Sequence, residues 1–146
     1  MRRLKRFINR PAHERRLLMR AWLLVAAIRT GLWIAPLDLV RRAAVRCTTN
    51  TRRPADAGHI VWAVITGARY FPRATCLTQA LAAHAMLAGS GQASRIEIGV
   101  AKDSASRFEA HAWVICNDRI VLGGPEVSRY TPLLAFETGA RTCLSR

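Results

Sequence analysis

The chain has 146 residues, a formal net charge of +14 and 51% hydrophobic residues, a size and composition that fit one domain with a buried core. Its four cysteines form no C-x-x-C pair, and its four histidines show no metal-ligand spacing. We therefore expect free thiols, no disulfide scaffold, no metal and no cofactor.

Basic residues are concentrated in the N-terminal third. Residues 1–53 carry 14 Lys or Arg against Glu14 and Asp38, a net of +12, whereas residues 54–146 carry a net of +2. Three roles are open for the basic region. The first is a solvated helical cap on the core, the second is a surface that docks an acidic precursor or partner protein, and the third is a contact for nucleic acid or an anionic membrane.

Two helices are predicted in this region. Pro11 suits a first helical position, and apolar residues then recur at helical spacing. Gly31 and Pro36 are expected to break the pattern before a second helix over residues 37–45. The longest uncharged apolar run, residues 21–28, is too short to span a membrane, so no transmembrane segment is expected.

Cys76 is predicted to begin a helix. A preceding helix over residues 56–70, capped by Asp56, leads into a loop in which Thr75 is a suitable N-cap, and Gly89 ends the next apolar helical pattern. In the first turn, the positive end of the helix dipole favours a thiolate, and unpaired backbone N–H groups can stabilise an oxyanion. The alternative is a buried structural cysteine.

His111 lies in a predicted central strand over residues 108–116. Alternation puts His111 and Trp113 on one face, and the small neighbours of the histidine leave space for another group to approach. Residues 117–118 are predicted to form a tight turn into a strand at 119–122. The alternative role for His111 is a hydrogen-bonded core residue; with Cys76, it forms a candidate nucleophile–base pair.

The predicted fold class is α+β. Residues 96–100 alternate as a further strand, so helices pack against a small antiparallel sheet. We expect residues 1–53 to form a basic helical region that packs on a core of residues 54–146, giving one compact domain overall.

The order of a Cys-bearing helix and a strand carrying His-Ala-Trp-Val resembles the transglutaminase-like branch of papain-fold cysteine enzymes. More narrowly, it resembles the leader peptidase of bacterial lasso-peptide biosynthesis, over about residues 59–134. The arginine- and leucine-rich N-terminal region is also usual for that family. The matching blocks, in the family's order, are PRATCLTQA (72–80), IEIGV (96–100), FEAHAWV (108–114) and GGPE (123–126).

This resemblance implies a cytoplasmic cysteine peptidase that removes the leader from a ribosomally made precursor. Cys76 would be the nucleophile, and His111 the general base and later the acid. It also implies two protein partners, an ATP-dependent macrocyclase and a separate leader-binding protein, since the chain has no room for a leader-binding domain. No nucleic-acid partner is expected.

The residue that orients His111 is a departure from the family. The family's Asp falls where this chain has Gly123. A two-residue turn would place His111 opposite Gly124, with Asp118 roughly 20 Å away along the strand. Glu126, just past the facing position, is the tentative orienting acid. A backbone carbonyl, a water or an amide remain alternatives for this role.

Other functions stay open from the sequence. An acyltransferase of the same fold would use the same Cys and His on another donor. A non-catalytic basic binding protein would carry an unreactive Cys76, and a membrane-surface role would depend on residues 1–53. A phosphate-binding loop is not expected, because residues 123–124 lack a following Lys-Ser or Lys-Thr.

Overall fold

A computed structural model describes residues 11–49, 55–71, 74–102, 104 and 106–137. Residues 72–73, in the predicted loop before Cys76, lie outside this range. The helices are α1 (Ala12–Ile34), α2 (Leu37–Thr49), α3 (Ala57–Ala68) and α4 (Cys76–Gly89). The strands are β1 (Ser94–Lys102), β2 (Phe108–Cys116), β3 (Arg119–Leu122) and β4 (Thr131–Glu137), with a 3₁₀ helix (Pro125–Arg129) before β4.

The four strands form one antiparallel sheet in the order β3-β2-β1-β4. The turn between β2 and β3 has positive φ at Asn117 (50°) and Asp118 (58°), as a type I′ hairpin turn requires. Cys116 pairs with Arg119 across that turn. With the four helices, the sheet confirms the predicted α+β class.

The helices cover one face of the sheet. Apolar residues of β1 and β2, such as Ile96 and Val114, join the helices in a single hydrophobic core, in which α4 is buried along most of its length. The buried residues of α1 belong to the same core; they are Leu18, Ala21, Val25 and Ile28. The basic helical region therefore packs directly on the remainder of the fold.

One predicted helix boundary is wrong. Gly31 does not end α1, which continues to Ile34 and stops before Pro36. A glycine inside a helix costs only about 1 kcal/mol relative to alanine, and packing can offset this. A Cβ at Gly31 would lie 3.3 Å from the Val40 side chain, so the glycine allows α1 and α2 to approach closely.

The expectation about membrane spans needs a similar correction. Judged over its full 23 residues rather than over residues 21–28, α1 is long and apolar enough to cross a membrane by length and composition. Such a helix is weak evidence for a span, since core helices of other folds have the same properties. Here one face of α1 is part of the protein core.

His84 is a titratable group fully enclosed between α4 and the sheet. Its Nδ1 lies 2.9 Å from the Ser94 hydroxyl at the start of β1. Burial, and secondarily the charge of Arg41, lowers the pKa of His84 from 6.5 to about 4. The folded protein therefore holds this imidazole neutral where an unfolded chain would protonate it.

The fold should lose stability as the pH falls from about 6.5 to about 4. In this window the unfolded state binds a proton that folded His84 does not, so the free energy of unfolding falls by up to about 1.4 kcal/mol per pH unit and by roughly 3 kcal/mol in total. Above pH 7 this contribution is constant. Urea unfolding at a series of pH values measures the slope. The matched variant His84→Asn, which retains a polar atom near Ser94, should have the shallower slope; equal slopes would contradict the assignment.

Candidate active site

Cys76 is the first residue of α4, as predicted. The Thr75 hydroxyl accepts a hydrogen bond from the Thr78 N–H at 3.3 Å, and the Thr75 carbonyl accepts one from the Gln79 N–H at 3.2 Å. Among the described residues, the N–H groups of Cys76 and Leu77 have no such partner. The helix therefore presents a half-buried thiol beside two backbone donors and the positive end of its dipole.

Gln79 braces the segment before the cysteine. Its side-chain nitrogen donates to the Ala74 carbonyl at 3.3 Å, one turn back along the chain. This hydrogen bond ties the first turn of α4 to the segment before Cys76. Gln79 therefore affects Cys76 only by holding the preceding residues in place.

His111 lies on β2 and its ring is fixed by a backbone carbonyl. Its Nε2 is 2.8 Å from the Gly123 carbonyl oxygen. Because a carbonyl can only accept, Nε2 must carry the proton, which leaves Nδ1 of the neutral ring as the proton acceptor. The carbonyl of Gly123 thus has the orienting role that the family gives to an Asp side chain at that place.

Two aromatic rings surround His111. Its ring centroid is 5.0 Å from that of Tyr130 and 6.3 Å from that of Trp113. The Trp113 indole N–H donates to Glu97 at 2.9 Å, and Glu97 pairs with Arg95 at 2.9 Å. Tyr130 and Glu97 were not predicted as site residues. The polar alternation of β1 hinted at Glu97, whereas nothing in the sequence marked Tyr130.

Two glycines make room for Trp113. A Cβ at Gly99 would lie 2.8 Å from the Trp113 ring, and one at Gly123 would lie 2.3 Å from the Trp113 Cβ. Gly123 also has a φ of +128°, which side chains other than glycine rarely adopt. A side chain such as Asp at position 123 would therefore displace Trp113.

Glu126 has a different partner from the one predicted. It lies exposed in the 3₁₀ helix and pairs with Arg129 at 3.1 Å, while the described hydrogen bond of the His111 ring goes to Gly123. The β2–β3 pairing shifts register at Val114 and Ile115, so His111 does not face Gly124 as a regular hairpin would require. A bulge of this kind cannot be read from strand periodicity.

Cys76 and His111 lie toward the same end of the sheet. His84 contacts Ser94, which pairs with Cys116 at the other end. Cys76 is eight residues before His84, about 12 Å along the helix, and His111 is five residues from Cys116, about 16 Å along the strand. Measured from the His84–Ser94 contact, Cys76 along α4 and His111 along β2 therefore lie at similar distances.

The side chains of Cys76 on α4 and His111 on β2 point in different directions. On β2, Ala112 and Val114 face the helices, so alternation puts His111 on the other face with Trp113. Between these two described residues, Cys76 and His111, no hydrogen bond is present. The structure therefore brings Cys76 and His111 to the same end of the sheet but places their side chains on different faces of β2, without direct contact.

The other described cysteines differ from Cys76 in their surroundings. Cys47 is exposed on α2, whereas Cys116 is buried at the end of β2, where burial raises the pKa of its thiol. Within the described ranges, no group of three His, Cys, Asp or Glu side chains is placed to hold a metal ion. Cys76 is thus the one described cysteine at a helix start, partly accessible and beside backbone donors that have no partner among the described residues.

These features define a fold in which a helix with an N-terminal cysteine packs on an antiparallel sheet that carries a histidine. The family model described as the transglutaminase-like superfamily matches residues 21–135, and the chain belongs to this superfamily. The fold is compatible with cysteine peptidase or acyltransferase activity. The match includes most of α1, in accord with the shared core. Curated proteins and solved structures give no significant match.

Proposed function

We propose that the chain is a cysteine endopeptidase that removes the leader from a ribosomally made lasso-peptide precursor. The observation that carries this proposal is the hydrogen bond from His111 Nε2 to the Gly123 carbonyl, which sets the other ring nitrogen as a base. In support, His111 lies toward the same end of the sheet at which the Cys76 helix begins.

In the proposed reaction, the Cys76 sulfur attacks the scissile carbonyl carbon of the precursor. His111 Nδ1 takes the thiol proton and returns it to the leaving amine, and water then hydrolyses the acyl-enzyme. The backbone N–H groups of Cys76 and Leu77 stabilise the oxyanion of each tetrahedral intermediate. No cofactor takes part.

The surroundings of His111 support this role. Tyr130 and Trp113 hold the ring by contact on its sides, and the Glu97–Arg95 pair fixes the Trp113 indole in turn. A base held by packing and by one hydrogen bond at Nε2 loses little orientational freedom in the reaction. Glu126 is not needed for this orientation in the described state.

The proposal includes three protein partners: the precursor peptide, a separate leader-binding protein and an ATP-dependent macrocyclase. The resemblance to lasso-peptide leader peptidases carries this part of the proposal. Cleavage should therefore require the leader-binding protein in the reaction. Cleavage of the precursor by the purified chain alone would contradict that dependence.

The reactivity of the thiols tests the Cys–His pair directly. At pH 7, iodoacetamide should modify Cys76 faster than Cys47, although Cys47 is more exposed, because in the proposed reaction His111 accepts the Cys76 proton and the helix N-terminus stabilises negative charge on the attacking sulfur. Cys116 should stay unmodified. Peptide mass spectrometry after timed alkylation gives the three rates. The proposal fails if the rates follow exposure alone, or if His111→Ala leaves the rate at Cys76 unchanged.

An acyltransferase is the second candidate, since the superfamily fold is compatible with it. Both reactions pass through the same acyl-enzyme, and they differ in the acceptor. Precursor cleaved in the presence of an isotopically labelled amine should give a free carboxylate on the leader if the enzyme is a peptidase. Incorporation of the label into the leader would favour the transferase.

A further inference from the structure

A continuous apolar face of α1 is exposed. Its most exposed side chains are Trp33 and Ile34, at 81% and 83%, and Met19, Trp22 and Leu23 are also exposed. At 100° per residue, the exposed apolar positions of α1 fall within an arc of roughly 140° on the side away from the buried Val25. A single exposed apolar residue is ordinary, but an apolar face over residues 19–34, interrupted only by Thr30, is not.

Over residues 19–34 charges border this face, whereas nearer the N-terminus of α1 Arg15 and Arg16 fall within the same arc. Between Met19 and Ile34 the only charged residues are Arg20 and Arg29, and on the helical wheel each falls about 20° outside the arc, on opposite sides. The described residues 11–49 carry seven arginines against two acids. The surface is therefore apolar along its centre and cationic at its edges.

We propose that this face of α1 binds the surface of an anionic lipid bilayer, with the helix lying in the plane of the membrane. The apolar centre enters the acyl-chain boundary, and the flanking arginines meet the anionic headgroups. Trp33, near the end of the helix, suits the headgroup level, where indole rings concentrate. A spanning orientation would require α1 to leave the core, because its opposite face packs under α3 and α4.

The arginine borders favour a bilayer over a second copy of the chain. Two copies pairing through this face would bring Arg20 and Arg29 of each copy to one interface, and residues 19–34 contain no acidic residue. Anionic headgroups supply the complementary charge on both sides of the helix. The proposal is independent of the catalytic role of Cys76 and His111.

Vesicle binding tests the proposal. The full chain should sediment with vesicles of phosphatidylcholine and phosphatidylglycerol in equal amounts, and high salt or pure phosphatidylcholine should weaken this binding by about tenfold. The double variant Trp33→Ser/Ile34→Ser should lower the partition coefficient by about tenfold or more, because it removes the most exposed apolar area.

The matched control lies on another surface. Leu133 and Leu134 of β4 are also exposed, so Leu133→Ser/Leu134→Ser removes two exposed apolar side chains elsewhere and should bind vesicles as the unaltered chain does. Equal loss in both double variants would overturn the proposal. So would an absence of vesicle binding together with a dimer in solution that the Trp33→Ser/Ile34→Ser variant abolishes, since α1 would then bind a second copy.

Discussion

Cys76→Ala should abolish removal of the leader from the precursor, and His111→Ala should lower its rate by at least about 10³-fold. The thiol has no substitute as nucleophile, and without the imidazole no group takes its proton or returns one to the leaving amine. Reaction of purified chain, leader-binding protein and precursor, followed by mass spectrometry, measures both rates. Cleavage at the normal rate by Cys76→Ala would refute the assignment.

Two further variants, measured in the same assay, test whether the loss of activity is specific to Cys76 and which group orients His111. Cys47→Ala removes an exposed thiol elsewhere and should leave the rate unchanged. Glu126→Gln should change the rate by no more than about twofold, because His111 is oriented by the Gly123 carbonyl and Glu126 pairs with Arg129. A loss of tenfold or more in Glu126→Gln would instead support the carboxylate as the orienting group.

Gly123→Ala should destabilise the fold by about 3 kcal/mol or more. Its Cβ would lie 2.3 Å from the Trp113 Cβ, and the φ of +128° adds backbone strain. The substitution must displace either Trp113 or the Gly123 carbonyl that holds His111. Urea unfolding measures the loss of stability, and the cleavage rate of the remaining folded protein should fall as well.

Gly124→Ala is the control for the steric part of that effect. Gly124 also has a positive φ, at +78°, but a Cβ there would meet no atom within 4 Å. The free energy of unfolding of Gly124→Ala should therefore fall by only about 1 kcal/mol, the cost of backbone strain. Equal losses in Gly123→Ala and Gly124→Ala would show that contact with Trp113 does not restrict position 123.

Much of the local structure follows from the sequence because local interactions decide it. The Thr75 cap, the start of α4 at Cys76, the bounds of β2 and the turn at residues 117–118 were all predicted, and each depends on side chains within a few residues. Alternation also correctly separated His111 and Trp113 from the core-facing side of β2. The prediction that Gly31 ends a helix is wrong because the packing of α1 against α2 outweighs the low helix propensity of glycine. No local sequence pattern indicates that packing.

Contacts between distant elements decided the rest. The partner of His111 is a main-chain carbonyl, and a bulge in the β2–β3 pairing together with a left-handed glycine is what presents it. Tyr130 reaches the same ring from beyond the 3₁₀ helix. Sequence periodicity records which faces of α1 are apolar, but only packing determines that one face is buried and another is left exposed, because burial depends on which neighbours the whole chain brings against each face.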